Sequence, residues 1–426
     1  MKFYIYTLGC KVNAYESRVM NDLLINEGYT EDKENPDICI VNTCSVTNTA
    51  DHKSMKTIRG AIKRHPNAII VVTGCFSQAD FKNASLIEGV DIVLGNKNKT
   101  KLIEYINNYK KEKKQKVDIY DISNIEFEPM KLNNFNKTRA FVKIQDGCNN
   151  FCSYCIIPYT RGNVRSKKRE DVLEEVNNLV KKGHKEIVLT GIHTGNYGAE
   201  FDNYDFASLL SDIVKIEGLE RLRISSIEMN EINDRVINIM KNSKILVDHM
   251  HIPLQSGSNE ILKLMNRKYN KEDFINKIEE IRKVRPNINI TTDVIVGFPG
   301  EEEAHFNETI ETIKKIKFTK LHVFPYSKRK GTVAASMENQ VDEKIKKDRV
   351  KILLELSKKL ELEYMNKYIS KELIFIPEIE KDGFVMGHTG NYLEVKCKGN
   401  KDELGKDKKV IAQKIEYPYI ICESNE

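Results

Sequence analysis

Three cysteines in a short span constrain this chain more than any other feature of its sequence. Cys148, Cys152 and Cys155 stand in the stretch Gly-Cys-Asn-Asn-Phe-Cys-Ser-Tyr-Cys, which has the spacing C-x-x-x-C-x-x-C. Three neighbouring thiolates can ligate three irons of a [4Fe–4S] cube and leave the fourth iron open for chemistry on a bound molecule. Structural zinc sites favour paired C-x-x-C units, and ferredoxin loops have C-x-x-C-x-x-C, usually followed by proline. Neither alternative fits, so the spacing predicts a catalytic cluster.

The size and composition of the chain predict a protein of two or three domains with a sizeable core. It has 426 residues, of which 40% are hydrophobic and 31% are charged. No apolar run approaches the roughly 18 residues of a membrane span, and the chain enters a strand pattern at once, without a secretory segment. We therefore expect a cytoplasmic protein with no membrane partner. In a reducing cytosol its nine cysteines indicate metal binding or catalysis rather than disulfides. The net charge of +6 permits a polyanionic partner.

The first part of the chain, residues 1–115, alternates short strands with helices, which favours a parallel, flavodoxin-like α/β domain. Strands are predicted over residues 3–8, 38–41, 68–72 and 92–94. Cys10, Cys44 and Cys75 stand at the carboxyl ends of three of these strands, the edge at which open α/β sheets bind ligands. Free cysteines are often buried packing residues, but the repeated position predicts that these three converge on a second cluster. Cys39 lies within a strand and is assigned to packing.

After a lysine-rich and then acidic boundary over residues 97–137, a second and larger α/β repeat is expected over residues 134–365. Its predicted strands span 140–145, 186–191, 222–226, 247–252, 291–297 and 321–325. Periodicity alone does not distinguish an open sheet from a partial barrel. A charged helix over residues 342–367 then leads to five short strands within residues 368–426, a pattern typical of a small β-barrel.

Taken together, the cysteine loop after the first strand of the second repeat, the three-cysteine domain and the terminal barrel resemble the methylthiotransferase family of radical S-adenosylmethionine (SAM) enzymes. The resemblance implies an α/β chain with a flavodoxin-like N-terminal domain, a six-stranded partial (βα) barrel as the radical SAM core, and a small TRAM-like C-terminal β-barrel. Residues 7–13, Thr-Leu-Gly-Cys-Lys-Val-Asn, are similar to the branch that acts on N6-threonylcarbamoyladenosine in tRNA. Residues 189–195, 223–228 and 322–327 resemble the same branch. The isopentenyladenosine branch usually has Gln-Met in place of Lys11 and Val12. Phe76-Ser77 and Asn196 are small departures from the pattern.

This resemblance implies an enzyme that places a methylthio group on the modified adenosine next to the tRNA anticodon. Its cofactors would be SAM and two [4Fe–4S] clusters, and its partners the tRNA anticodon stem-loop and a low-potential electron donor such as flavodoxin or ferredoxin. The radical cluster would be held by the loop cysteines, and the auxiliary cluster by Cys10, Cys44 and Cys75. Residues expected to contact SAM lie in the cysteine loop or at strand ends: Tyr154, Thr190, Gly191, Glu228, Gln255, Gly297 and Phe298.

Four basic residues are candidates for substrate contact. Arg161 and Arg165 follow the cysteine loop and are expected to form a basic rim for the phosphate backbone. Lys328 and Arg329 follow the last core strand and are hypothetical partners for the substrate carboxylate. Such charges are otherwise simply solvated, and in the terminal barrel acidic residues outnumber lysines. The alternative substrates are N6-isopentenyladenosine in tRNA and an aspartate of a ribosomal protein. A non-catalytic iron–sulfur RNA-binding protein is a more distant alternative.

Overall fold

The computed structural model describes residues 1–123, 125–132 and 138–424. The N-terminal part is a six-stranded parallel sheet in the order β2-β1-β3-β4-β5-β6. Its strands are β1 Lys2–Thr7, β2 Thr30–Glu31, β3 Ile38–Thr43, β4 Ile69–Gly74, β5 Ile92–Leu94 and β6 Lys116–Asp118. Its helices are α1 Lys11–Asn26, α2 Asn48–Arg64, α3 Cys75–Ala79, α4 Phe81–Ser85 and α5 Leu102–Glu112. The parallel, flavodoxin-like sheet expected from the sequence is confirmed, with β6 added at one edge. The sequence pattern missed β2 and β6, which are short and border the sheet.

Both faces of this sheet are covered by helices. On β3, Ile38 and Ile40 pack in a core that includes residues of α1 and α5, whereas Cys39 and Val41 pack in a second core with residues of α2. Because both faces are buried, the strands are apolar without alternation, as is typical of parallel sheets. Cys39 is fully buried, which agrees with its assignment to packing. The order of the sheet reverses between β1 and β3, so the ligand-binding edge lies after these two strands.

The second part of the chain forms the wall of a partial barrel from two three-stranded parallel groups, β7-β10-β11 and β12-β13-β14. A bridge between Leu222 and Leu246 joins the groups. The strands are β7 Arg139–Lys143, β10 Glu186–Thr190, β11 Arg221–Ile224, β12 His249–His251, β13 Asn289–Val296 and β14 Lys320–Pro325. A short antiparallel ribbon, β8 Gln145–Asp146 with β9 Arg165–Ser166, flanks the cysteine loop. The six predicted strands are therefore all present.

Helices surround the barrel wall. They are α6 Ile157–Arg161, α7 Arg169–Lys181, α8 Phe206–Ile213, α9 Asp234–Asn242, α10 Asn259–Leu264, α11 Lys271–Val284, α12 Glu303–Ile316 and α13 Val333–Ser336. Short 3₁₀ turns occur at Lys99–Lys101, Thr194–Asn196, Met229–Glu231 and Lys401–Glu403. The expected domain start at residue 134 lies outside the described residues. The N-terminal sheet runs to Asp118, slightly past the expected limit of residue 115. No helix in the described ranges is long and apolar enough to cross a membrane.

The long helix α14, Glu343–Asn366, leads to a closed five-stranded barrel in the order β15-β16-β17-β19-β18. Its strands are β15 Glu372–Lys381, β16 Phe384–Thr389, β17 Glu394–Lys398, β18 Lys408–Glu416 and β19 Tyr419–Ser424. The terminal barrel packs beneath the starts of the core strands. Arg139 pairs with Glu378 at 3.0 Å, and Arg221 pairs with Asp407 at 2.8 Å. The terminal barrel therefore forms the floor of the partial barrel.

Candidate active site

The cysteine loop follows β8 and is shaped by its own backbone. Gly147 has a φ of 74°, and a Cβ on it would lie 1.9 Å from the carbonyl oxygen of Asn163, so glycine is required there. The amide of Cys148 donates to the carbonyl of Gly162 at 3.0 Å, and that of Cys155 to the carbonyl of Cys152 at 2.9 Å. Burial raises the pKa of the Cys155 thiol to about 12, and the nearby thiols of the other two loop cysteines add to the shift. The three sulfurs therefore share one small region.

Two of these sulfurs have nitrogen neighbours that carboxylates hold in place. Arg267 Nη1 donates to Cys152 Sγ at 3.3 Å, and Arg267 is itself paired with Glu228. His193 Nδ1 lies 3.6 Å from Cys148 Sγ, while its other ring nitrogen contacts Glu231. Hydrogen bonds to cluster-ligating sulfurs adjust the reduction potential of a cluster. Arg267 is a functional residue that sequence reasoning did not connect with the loop, because it lies 115 residues from Cys152 along the chain.

The second group of cysteines comes together at the switch point of the N-terminal sheet. Cys10 follows β1, Cys44 follows β3, and Cys75 begins α3 directly after β4. A Cβ on Gly9 would lie 2.8 Å from Cys44 Sγ, which shows how closely the first two strand ends approach. Burial raises the pKa of Cys44 to about 11, and Cys75 and Cys10 are near enough to add to that shift. Cys75 Sγ also accepts hydrogen bonds from Asn96 at 3.6 Å and from Arg161 at 3.3 Å.

The donor chemistry at both places fits an iron–sulfur cluster. Within the described ranges, no three His, Cys, Asp or Glu side chains converge on a position for a single metal ion. A four-iron cube needs a different arrangement, because each thiolate binds its own iron at a separate corner. Three thiols around a shared space, with N–H donors directed at some of the sulfurs, meet that requirement. The ligand assignments themselves stay predictions.

A buried network of charges joins the two cysteine sites across the domain interface. Glu16 of α1 accepts hydrogen bonds from Arg161 at 2.6 Å, Lys143 at 2.7 Å and Lys99 at 2.6 Å. Arg161, which also contacts Cys75, lies in the short helix after the cysteine loop. Burial by itself would raise the pKa of Glu16, but these three cations hold it well below its usual range.

The basic rim expected at Arg161 and Arg165 is not present. Arg161 is 0% exposed and Arg165 is 6% exposed, and Arg165 pairs with Asp146 at 3.0 Å. The carboxylates of Glu16 and Asp146 draw both guanidinium groups into the interface. Sequence reasoning could not anticipate this, because Glu16 is far from both arginines along the chain.

A cavity of about 220 Å³ lies directly beside the cysteine loop. Tyr154 and Gln255, two of the predicted SAM contacts, line it together with Cys155, Asp293 and Phe324. Residues 46–47, between β3 and α2, also line the cavity and belong to the N-terminal domain. The cavity therefore lies between the core and the N-terminal domain, where a substrate would meet residues of both.

The other predicted SAM contacts do not line this cavity. Phe298 is fully buried and packs on Tyr326 with ring centroids 5.5 Å apart, and the amide of Gly297 donates to Glu301 at 2.8 Å. Thr190 ends β10, and a Cβ on Gly191 would approach the side chain of Gln145. Glu228 borders a separate small recess with Cys152 and Arg267.

Lys328 and Arg329 are neighbours in sequence but lie in different surroundings. Arg329 is 7% exposed and donates to Asp51 at 2.5 Å and to Ser45 at 2.8 Å, so its charge already links the segment after β14 to the N-terminal domain. Lys328 is exposed and borders a surface recess. Neither residue lines the cavity beside the cysteine loop.

Comparison with known proteins gives matches for both the core and the N-terminal domain. Residues 142–313 match the Radical SAM superfamily, and residues 2–95 match the uncharacterized protein family UPF0004. The chain is 46% identical to the threonylcarbamoyladenosine tRNA methylthiotransferase MtaB of Bacillus subtilis, with 97% of this chain and 94% of that protein covered. It is 40% identical to the tRNA-2-methylthio-N(6)-dimethylallyladenosine synthase of Clostridium tetani, over 95% of this chain and 92% of that protein.

Among solved structures, the fold is similar to the radical S-adenosylmethionine methyltransferase TsrM from Kitasatospora setae. The TM-score is 0.58 at 13% sequence identity, and the match covers 78% of this chain and 76% of that one. At this identity the likeness concerns the fold alone. It agrees with the partial barrel described above.

Proposed function

Because the chain belongs to the methylthiotransferase family of radical SAM enzymes, we propose that it converts N6-threonylcarbamoyladenosine beside the tRNA anticodon to its 2-methylthio derivative. The enzyme uses SAM and [4Fe–4S] clusters. The observation that carries the proposal is the placement of two three-cysteine sites on either side of one charge network, with a cavity beside one of them that both domains line. Methylthio transfer needs both a means of activating carbon and a source of sulfur, and two separate thiol sites supply places for both.

The loop cysteines would hold the radical cluster, and Cys10, Cys44 and Cys75 would hold the auxiliary one. When bound, the loop cluster and SAM together supply a radical strong enough to activate the C–H bond at position 2 of adenine. The protein's own contribution is orientation and exclusion of water. Tyr154 and Phe324 give the cavity apolar ring surfaces, whereas Gln255 and Asp293 give it polar groups for a bound nucleoside.

Hydrogen bonds around the cavity fix the segments that form its walls. The amide of Asn48 donates to Ser327 Oγ at 3.0 Å, next to the contacts of Arg329 with the same N-terminal segment. Gln255 takes a left-handed φ of 65°, and its amide donates to the carbonyl of Asp293 at 2.9 Å. A segment tied down in this way keeps the N-terminal domain over the mouth of the core and limits the entry of water.

The partners follow from the reaction. The RNA partner is the anticodon stem-loop of tRNA, whose loop bases are unpaired and can be splayed out into a protein site. Reduction of the loop cluster requires a low-potential electron donor such as flavodoxin or ferredoxin. We place the reaction in the cytoplasm, where tRNA and such donors occur together.

To test the proposal, reconstituted enzyme is incubated with SAM, a reductant and tRNA that carries either N6-threonylcarbamoyladenosine or N6-isopentenyladenosine. The product is then identified by nucleoside mass spectrometry. We expect 2-methylthio product on the threonylcarbamoyl substrate. Product only on the isopentenyl substrate would overturn the substrate and leave the reaction class intact. The 40% identity to a dimethylallyladenosine synthase makes this the comparison to run first.

A further inference from the structure

A second cavity, the lower chamber, lies inside the partial barrel and above the terminal barrel. Its volume is about 330 Å³. Core strands supply its walls, the terminal barrel supplies Tyr392 as a floor, and Lys11 enters from the N-terminal domain. Tyr392 is stacked between His249 and His388, with centroids 4.7 Å and 4.5 Å away. All three domains therefore build this chamber, and none of its lining residues lines the cavity beside the cysteine loop.

Three buried side chains that line the chamber have a polar atom with no hydrogen-bond partner in the described part of the chain. These atoms are Arg223 Nη1, His249 Nδ1 and Asn289 Oδ1. The side chains themselves are fixed: Arg223 Nε donates to Glu186 at 2.7 Å, and Asn289 Nδ2 donates to the carbonyl of Asn391 at 2.8 Å. Buried polar atoms almost always have partners. Three unpartnered ones around a single chamber indicate a polar ligand.

The charges of the chamber indicate the sign of that ligand. Towards one side, Lys320 lies between the two carboxylates of the chamber, 3.0 Å from Glu361 and 3.9 Å from Glu394. Lys11 has no ion pair or hydrogen bond to its ammonium group within the described residues, and Arg223, which also lines the chamber, has no hydrogen-bond partner for its Nη1 there. An ammonium and a free guanidinium nitrogen together favour a carboxylate, which accepts hydrogen bonds from both.

The lower chamber adjoins the cavity beside the cysteine loop, here called the upper cavity. On β13, Thr291 lines the lower chamber and Asp293 lines the upper cavity. On β14, His322 lines the lower chamber and Phe324 lines the upper cavity. Residues two apart on a strand face the same side and are about 7 Å apart. His251 Nε2 lies 3.3 Å from Asp293 Oδ1 and so connects the two levels. A base in the upper cavity can therefore extend a substituent of several bonds into the chamber.

We propose that the lower chamber binds the threonylcarbamoyl arm of the substrate, an inference that rests on the proposed function. In adenine, N1 lies between C2 and C6, the carbon that carries the N6 amino group, so a base that presents C2 to SAM at the upper cavity leaves its N6 arm free to descend. Its carboxylate binds Lys11 and Arg223 Nη1. Its hydroxyl and ureido N–H groups are matched by Asn289 Oδ1 and His249 Nδ1. An apolar isopentenyl arm would leave all of these groups unpaired.

This assignment gives the carboxylate different partners from Lys328 and Arg329. Arg329 is already paired with Asp51, and neither residue lines the lower chamber. In the sequence, Lys11 stands out only as part of the motif over residues 7–13. The sequence places it beside a cluster cysteine, and the structure extends its side chain into the barrel of another domain.

The experiment compares two synthetic anticodon stem-loops, one with N6-threonylcarbamoyladenosine and one with its methyl ester, which has the same shape but no charge. For the natural enzyme we expect kcat/KM on the acid to exceed that on the ester by about 10- to 100-fold, the usual range for a charge-assisted contact. Lys11→Gln should lose that preference through a raised KM for the acid, with turnover of the ester unchanged. Arg223→Lys should also reduce the preference for the acid over the ester, while it keeps a positive charge opposite buried Glu186.

Lys33→Gln is the matched control, since it removes the same charge from an exposed position of the same domain. It should leave both substrates unaffected. Turnover of the ester shows that each variant is folded and holds its clusters. An unchanged preference for the acid in Lys11→Gln, or equal rates on acid and ester in the natural enzyme, would overturn the binding role of the chamber. Either result would leave the proposed function intact. Absence of any product from the acid stem-loop in the natural enzyme would overturn the proposed function with it.

Discussion

The two cysteine sites reach similar chemistry by opposite routes. The loop site is local in sequence: Cys148, Cys152 and Cys155 lie within one turn-rich segment, which backbone hydrogen bonds to Gly162 and Met265 of the same domain hold in place. The strand-end site is assembled from Cys10, Cys44 and Cys75 on separate strands, and a guanidinium from the other domain donates to one of its sulfurs. A site that is local in sequence depends on contacts within its own domain, whereas an assembled site depends on the whole sheet and on the interface beside it. The predictions below test that difference.

The largest effect is expected at the loop site. Replacing Cys148, Cys152 and Cys155 together by alanine should abolish SAM cleavage, because the open-iron cluster would have no ligands. Iron content should fall from about eight to about four per chain, the content of one cube. Iron analysis and assay of 5′-deoxyadenosine after anaerobic reconstitution measure both quantities. Full iron content in this variant would contradict the ligand assignment.

Replacing Cys10, Cys44 and Cys75 by alanine should separate the two sites. SAM cleavage should remain measurable, because the loop site has its own ligands and its own backbone support. Methylthio product should disappear, and iron should again fall to about four per chain. If SAM cleavage vanished while circular dichroism showed an intact fold, the two sites would not be independent.

A third prediction concerns the buried network between the sites. Glu16→Gln leaves Arg161, Lys143 and Lys99 without their shared carboxylate, and removing one partner of a buried ion pair costs about 3–5 kcal/mol. Denaturant unfolding should show this loss of stability. In Glu16→Gln protein that remains folded, the loop site should keep its iron more readily than the strand-end site, because Arg161 connects the charge network to Cys75. Loss of iron from the loop site alone would contradict that order.

The same carboxylate predicts a dependence of stability on pH. The folded-state pKa of Glu16 lies well below its usual range, so its contribution to stability is complete above the ordinary pKa of glutamate, about 4.3. That contribution is lost as the pH falls from there toward the folded-state value. The free energy of unfolding of the natural protein should therefore decrease in acid more steeply than that of Glu16→Gln. Parallel curves for the two proteins would contradict the lowered pKa.

The smallest effect is expected at Cys39, the buried cysteine within β3. Cys39→Ala should reduce the free energy of unfolding by about 1 kcal/mol, typical of a small loss of packing. Iron content and methylthio turnover should be unchanged, since its thiol packs between β3 and α2. This variant is the matched control for the strand-end replacements. A loss of iron here would mean that the strand-end ligands were misassigned.

Sequence reasoning succeeded where a pattern repeats locally. The strand and helix periods predicted the order of the elements in all three parts, because burial on both faces of a parallel sheet leaves a readable apolar run. It missed β2 and β6, since short edge strands carry little apolar pattern. At the site, Tyr154 and Gln255 line the cavity beside the cysteine loop, whereas Phe298 is packed in a core, and the predicted contacts with SAM stay predictions.

The sequence by itself determined the two groups of cysteines, the order of the three folded parts and the family to which the chain belongs. Spacing and strand ends are properties that can be read along the chain. Only the tertiary structure decided the surroundings of the charged residues. It turned Arg161 and Arg165 inward, paired Arg329 with Asp51, and extended Lys11 into the barrel of another domain. The physical reason is that a charge is stabilised by whichever opposite charge or cavity the fold brings near it, and those partners lie far away in sequence.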